Sequence, residues 1–107
     1  MAYREKDYIK RQLAELARVL AAVMGLKDGG RPDEARAELE KGARSMLGVG
    51  MMPLGRVDVA TAVGLLRSQA GAETYARLLE AQSELEVPEL AGTLRERARA
   101  IRETAGS

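Results

Sequence analysis

The chain has no cysteine, no histidine, no phenylalanine and no tryptophan. Without cysteine there is no disulfide framework and no thiolate to act as nucleophile or metal ligand. Without histidine, the commonest general base near neutral pH and the commonest metal ligand are both missing. The only aromatic residues are Tyr3, Tyr8 and Tyr75, so the core has to be assembled from Leu, Ala, Val, Ile and Met. β-branched and aromatic residues are too sparse for a sheet, whereas Leu and Ala favour helices. The expectation is an all-α fold in a single domain over residues 1–107, a length suited to one core.

Two further absences narrow the function classes. No apolar run approaches the roughly 18 residues that a membrane span needs, so no transmembrane segment is expected. Neither sign of charge dominates: 17 basic residues meet 16 acidic ones, for a net charge of +1. Affinity for nucleic acid rests on clustered Lys and Arg neutralising phosphates, so no nucleic-acid partner is expected. The start of the chain, through Asp7, mixes both signs and does not resemble a signal peptide. A cytoplasmic location is the default expectation, with no cofactor and no small-molecule substrate evident.

The chain does carry periodicity. Ile9, Leu13, Leu16, Leu20, Val23 and Met24 recur at intervals of three and four, the mark of one helix face. This first helix is expected from about Arg4 or Asp7 to Met24, ending at Gly25. Pro32 opens a second helix to about Leu47, with Asp33 and Glu34 placed where the helix dipole favours anions. Gly42 in its interior suggests close packing against the first helix. The stretch Gly48–Gly55 holds three glycines and Pro53 and reads as a break. Asp58 can cap a third helix, Val59 to about Gln69, stopped by Gly71. A fourth, about Ala72 to Glu86, turns Tyr75, Leu78, Leu79, Gln82 and Leu85 inward. Pro88 opens a fifth, to about Thr104, lined by Leu90, Leu94, Ala98 and Ile101. The pattern predicts four to five helices in antiparallel helical hairpins, as a short tetratricopeptide-like repeat or a small helix bundle.

Candidate chemistry is thin. Lys41 and Ser45 stand four apart on a helix, a spacing that reads as a solvated face before it reads as a nucleophile and its base. Glu80, Glu84 and Glu86 fit a polar helix face better than a cation site, which needs oxygens converging from several elements. Gly48-Val49-Gly50 lacks the Lys-Ser/Thr ending of a phosphate loop. No catalytic, cofactor or metal residue is assigned.

The remaining reading is interaction. An acidic stretch, Glu73 to Glu89, precedes an Arg-bearing last helix, either as complementarity within the chain or as a patch for self-association. Arg97 lies close to the Leu94–Ile101 seam and invites a Glu partner. The Met-rich segment around Met51, Met52 and Leu54 supplies either core volume, the favoured reading, or an adaptable surface. The candidate interface is therefore Ile9, Leu13, Leu16, Leu20, Met51, Met52 and Leu54. The function expected is a non-catalytic helical protein–protein interaction module, self-associating or an accessory subunit of a larger assembly. The alternative is a peripheral binder of an anionic surface, nucleic acid or membrane, through Arg4, Lys6, Lys10 and Arg11.

Two motifs carry a family likeness. The opening Tyr3…Asp7-Tyr8-Ile9-Lys10-Arg11-Gln12-Leu13, with the turn and helix Gly30-Arg31-Pro32-Asp33-Glu34-Ala35…Leu39…Ala43…Met46-Leu47-Gly48, resembles short uncharacterised bacterial proteins related to tetratricopeptide repeats. The first helix lacks the Trp, and the second the bulky aromatic, of the full repeat consensus. The resemblance implies a helical-hairpin fold and assigns no activity to any residue.

Overall fold

Pro32 and the Gly29-Gly30 pair set the first hairpin. In the computed structural model, which describes the backbone of residues 2–107 and the side chains of residues 7–107, α1 runs Ala2–Asp28 and α2 Pro32–Leu47. The first helix does not stop at Met24. A lone Gly25 costs on the order of 1 kcal/mol in a helix interior, which the flanking helix-formers absorb. The reversal comes at Gly30, whose φ of 74° is the left-handed conformation that glycine adopts freely. There the Arg31 N–H reaches back to the Leu26 carbonyl at 2.8 Å and the Gly30 N–H to that of Lys27 at 3.0 Å, closing the helix end. Along the hairpin, Gly42 presses on the fully buried Val19. A Cβ at position 42 would lie 2.7 Å from Val19 Cγ1, so the close packing expected of this glycine is present.

The Gly48–Gly55 break contains a short helix, α3 (Met51–Gly55), which local pattern did not suggest. Its start is capped from outside: the Glu40 carboxylate on α2 accepts a hydrogen bond from the Met51 N–H at 3.0 Å. Pro53 is tolerated because first-turn N–H groups have no partner within the helix. Asp58 caps α4 (Val59–Leu66) through the Thr61 N–H at 2.7 Å, as expected. That helix ends earlier than Gln69. Arg67 takes a left-handed φ of 66°, and Ser68 caps α5 (Gln69–Ser83) by accepting from the Gly71 N–H at 2.9 Å. Gly71 is thus not a stop but part of the first turn of α5. A Cβ there would sit 2.8 Å from the Leu66 carbonyl oxygen, so glycine lets the two helix ends meet. After Ser83 the chain tightens into successive i→i+3 turns, ending α5 before Glu86. Pro88 opens α6, which runs to Gly106.

Six helices, with no strand among the described residues, pack as two hairpins, α1–α2 and α5–α6, joined by α3 and α4. The all-α expectation holds, with one helix more than the pattern suggested. Helix α5 is central, meeting α1, α2, α4 and α6. It buries Ala72, Tyr75, Ala76, Leu78 and Leu79, while Gln82 stays half-buried. On α6, Leu90 turns outward and Ala91 takes the buried place expected for it. Tyr75, the largest fully buried side chain, needs a partner for its hydroxyl. Arg97 provides one. Its Nε donates to Tyr75 Oη at 3.0 Å, and one Nη donates to the carbonyls of Leu54 at 2.6 Å and Val57 at 2.8 Å. Arg97 therefore pins α6 to the end of α3 through neutral acceptors, not through the Glu its sequence position suggested.

Of the two readings of the acidic stretch, the structure displays complementarity within the chain. Arg102 on α6 holds Glu73 at 2.9 Å and Glu80 at 2.7 Å, and Lys27 meets Glu84 at 3.1 Å. Arg36 bonds Glu86 at 3.1 Å and the Leu85 carbonyl at 2.9 Å. The Arg102 guanidinium holds the Glu80 carboxyl below its ordinary value, against the opposing effect of partial burial.

Candidate interaction groove

The groove arises from unequal helix lengths. At about 1.5 Å per residue, the 27 residues of α1 far outreach the 16 of α2. Since α2 returns from the C-terminal end of α1, it runs out at Leu47 beside the middle of its partner. From Leu16 onward the α1 stripe is sealed, with Leu16, Val19 and Val23 buried. Between Asp7 and Glu15 no residue is buried, and the same stripe lies open. Tyr8 is 60%, Ile9 49% and Leu13 61% exposed.

These side chains form one wall of a groove of about 240 Å³. Leu16, Met46, Leu47, Leu66 and Thr74 contribute further along it, and Ser68, Ala70, Gly71, Glu73 and Arg77 bring in the start of α5. Gln12 Nε2 donates to Tyr8 Oη at 2.9 Å, ordering the polar side of α1. The lining is mostly apolar. Ser68 is committed to its cap, Glu73 is committed to Arg102, and Arg77 is exposed. No cluster of three or more potential metal-ligating residues occurs among the described residues. The groove falls short of the roughly 300–1,000 Å³ usual for enclosed small-molecule sites.

The seven candidate interface residues divide. Ile9 and Leu13 stand exposed on the groove wall, and Leu16 closes its inner end while itself buried. Leu20 is half-buried against the core. Met51 and Leu54 are core residues under α3, at 6% and 0% exposure, so they are not available as surface. Their inward direction follows from the Glu40 cap, which winds positions 51–54 into a helical turn and puts both on one side. Met52 does face outward, on a different cleft of about 540 Å³ shared with Leu90 and Leu94. The structure thus joins Ile9 to Leu13 and separates both from Met52. Tyr8, Met46, Leu66 and Arg77 belong to the groove and were not singled out for it. No local pattern marks them, because they meet only in the packed fold.

The remaining candidates are dispersed. Lys41 sits 4.0 Å from Glu38, and Ser45 is exposed. Glu80, Glu84 and Glu86 each face a different set of cations. Gly48 closes α2 and Gly50 opens α3. Lys10 and Arg11 are exposed on α1, whereas the side chains of Arg4 and Lys6 lie outside those described. No helix among the described residues is long and apolar enough to cross a membrane. No protein-family model, curated protein or solved structure matches the chain.

Proposed function

We propose that this chain is a non-catalytic helical interaction module of the tetratricopeptide-related kind. It acts in the cytoplasm as a self-associating unit or as an accessory subunit, and it docks other polypeptide through the α1–α5 groove. The observation that carries this reading is the contiguous exposure of Tyr8, Ile9 and Leu13 beside an unfilled apolar groove. Single exposed apolar side chains are ordinary. A contiguous set that continues the core stripe onto the surface is the signature of a contact site. A groove between helices suits an amphipathic segment, which presents side chains at helical spacing to such a floor.

The alternative, binding of an anionic surface through the first helix, has less support. Asp7 and Glu15 interrupt the basic residues of the described part of α1, and Glu15 is paired with Arg18 at 2.6 Å.

A photo-crosslinking residue at position 13 in the full chain, expressed in its own cells, tests the module. We expect a discrete crosslinked product, either with a second copy or with another protein. The same probe at Lys41, which is 80% exposed on α2, is expected to give none. Equal labelling from both positions, or no product from position 13, rejects the reading.

A further inference from the structure

We propose that the cleft bounded by α2, α3, α5 and α6 binds a medium-chain fatty acid, its carboxylate on Arg97 and Arg56 and its tail along an apolar floor. The cleft shares no lining residue with the α1–α5 groove, so the site stands apart from the module reading.

Size and lining come first. The cleft measures about 540 Å³, within the roughly 300–1,000 Å³ of small-molecule sites and more than twice the 240 Å³ of the groove. Buried side chains from three elements make its floor: Leu39 on α2, Met51 on α3 and Leu79 on α5. Met52 and Leu90 stand at its rim, 65% and 43% exposed, and Leu94 is half-buried. An aliphatic chain lying in the cleft takes this apolar rim out of water. The unbranched methionines adapt to a slim tail.

The charge of the lining itself selects the head group. Three arginines line the cleft, against one acid, Glu40. Arg36 is spent: its Nε donates to Glu86, one Nη to Asp33 and the other to the Leu85 carbonyl. Neither Arg56 nor Arg97 makes an ion pair among the described residues. Two cations thus share the cleft with the carboxylate of Glu40, itself engaged by the Met51 N–H. One positive charge is left over. A monoanion matches that surplus, and an ammonium head adds to it.

Arg97 is the anchor. Its Nε and one Nη are held by neutral acceptors, the Tyr75 hydroxyl and the carbonyls of Leu54 and Val57. The other Nη has no partner among the described residues and is not sealed from solvent. The guanidinium is therefore fixed before a ligand arrives, with a donor to spare, and little side-chain freedom is lost on binding. Arg56 is exposed and bonded only to the Met52 sulfur at 3.6 Å, so it is available to the second carboxylate oxygen.

The test titrates decanoate, below its micelle-forming concentration, into the full chain by calorimetry and by methyl NMR. We expect saturable binding that shifts the methyl signals of Met52, Leu90 and Leu94 and weakens with added salt. From hexanoate to octanoate to decanoate, affinity is expected to rise by up to about fourfold per methylene. Decylammonium is expected not to bind. Arg56→Glu is expected to lower decanoate affinity by about tenfold. Lys10→Glu makes the same change of net charge outside the cleft and is expected to leave affinity unchanged. Circular dichroism of both variants checks that they fold alike. Absence of methyl shifts, equal binding of decylammonium, or equal effects of the two substitutions overturns the proposal. So do shifts at Ile9 and Leu13 in place of Met52 and Leu90, which put the acid in the other groove.

Discussion

The two hairpins of this molecule are built from similar residues and finished differently. In α5–α6 the partners are close in length, 15 and 19 residues, and ion pairs seal their outer faces. Gln69 Nε2 donates to the Ala105 carbonyl at 3.1 Å, fastening the start of one helix to the end of the other. In α1–α2 the partners differ by 11 residues, 27 against 16, and between Asp7 and Glu15 the longer helix buries no residue. One hairpin is closed at both ends, the other at one. The same apolar stripe is core over half of α1 and surface over the rest. What determines which is not composition but where α2 stops.

A leucine truncation in each hairpin separates the sealed seam from the open one. Leu78→Ala removes a fully buried side chain at the centre of α5. We expect a loss of about 2–5 kcal/mol in urea unfolding, the range for leucine deletion in a close-packed core. A value under about 1 kcal/mol contradicts the central role given to α5.

The junction of the open hairpin comes next. Gly42→Ala sets a methyl group 2.7 Å from Val19 Cγ1. Overpacking of this kind costs about 1–3 kcal/mol, partly offset by better helix propensity. Adding Val19→Ala makes room for the methyl, so the double variant is expected to lose less than the sum of the two single losses. Strict additivity in that cycle removes the close contact as the explanation.

Arg102→Met opens the outer seam of the closed hairpin. Glu80 is about half exposed, so solvent screening keeps the expected loss at neutral pH to the order of 1 kcal/mol. Because Arg102 holds the Glu80 carboxyl below its ordinary value, the unfolded chain takes up that proton first as pH falls. The stabilisation is complete at neutral pH and disappears as acid protonates folded Glu80. Melting temperatures of the wild type and of Arg102→Met are therefore expected to differ most near pH 7 and to converge below about pH 4. A difference independent of pH contradicts the ion-pair account.

Leu13→Ala is the counterpart of the first substitution in the open hairpin and the smallest effect expected, within about 0.5 kcal/mol. With Leu13 61% exposed, its truncation removes little buried area. Similar losses at Leu13 and Leu78 by urea unfolding erase the difference between the hairpins.

Much of the scaffold is legible in local pattern. Pro32, Pro88 and the apolar spacing of α1 and α5 mark helices because these signals act within a turn or two of themselves. The misreadings lie where a distant group intervenes. Helix α3 depends on Glu40, eleven positions before Met51, and without that cap the Gly-Pro segment reads as a loop. The break after Leu66 rests on Arg67 in a conformation non-glycine residues seldom take, so Gly71 drew the boundary instead. Arg97 satisfies itself on two carbonyls and a phenol, acceptors that residue type does not advertise. Of the groove, Ile9 and Leu13 are visible as members of the stripe. Tyr8 and Arg77 are not, because they become neighbours only when α5 is laid against the overhang.

The Glu40 cap also has a genealogical consequence. A side chain at position 50 would begin where the Glu40 carboxylate now lies, so the carboxylate keeps its place only while position 50 has no Cβ. The two positions are therefore coupled through the Met51 cap. A descendant that trades Glu40 for a shorter residue releases position 50 from glycine but leaves α3 uncapped, and one that first places alanine at 50 evicts the carboxylate. Among diverging copies of this chain, Glu40 and Gly50 should be inherited together or lost together, though ten residues apart in the sequence.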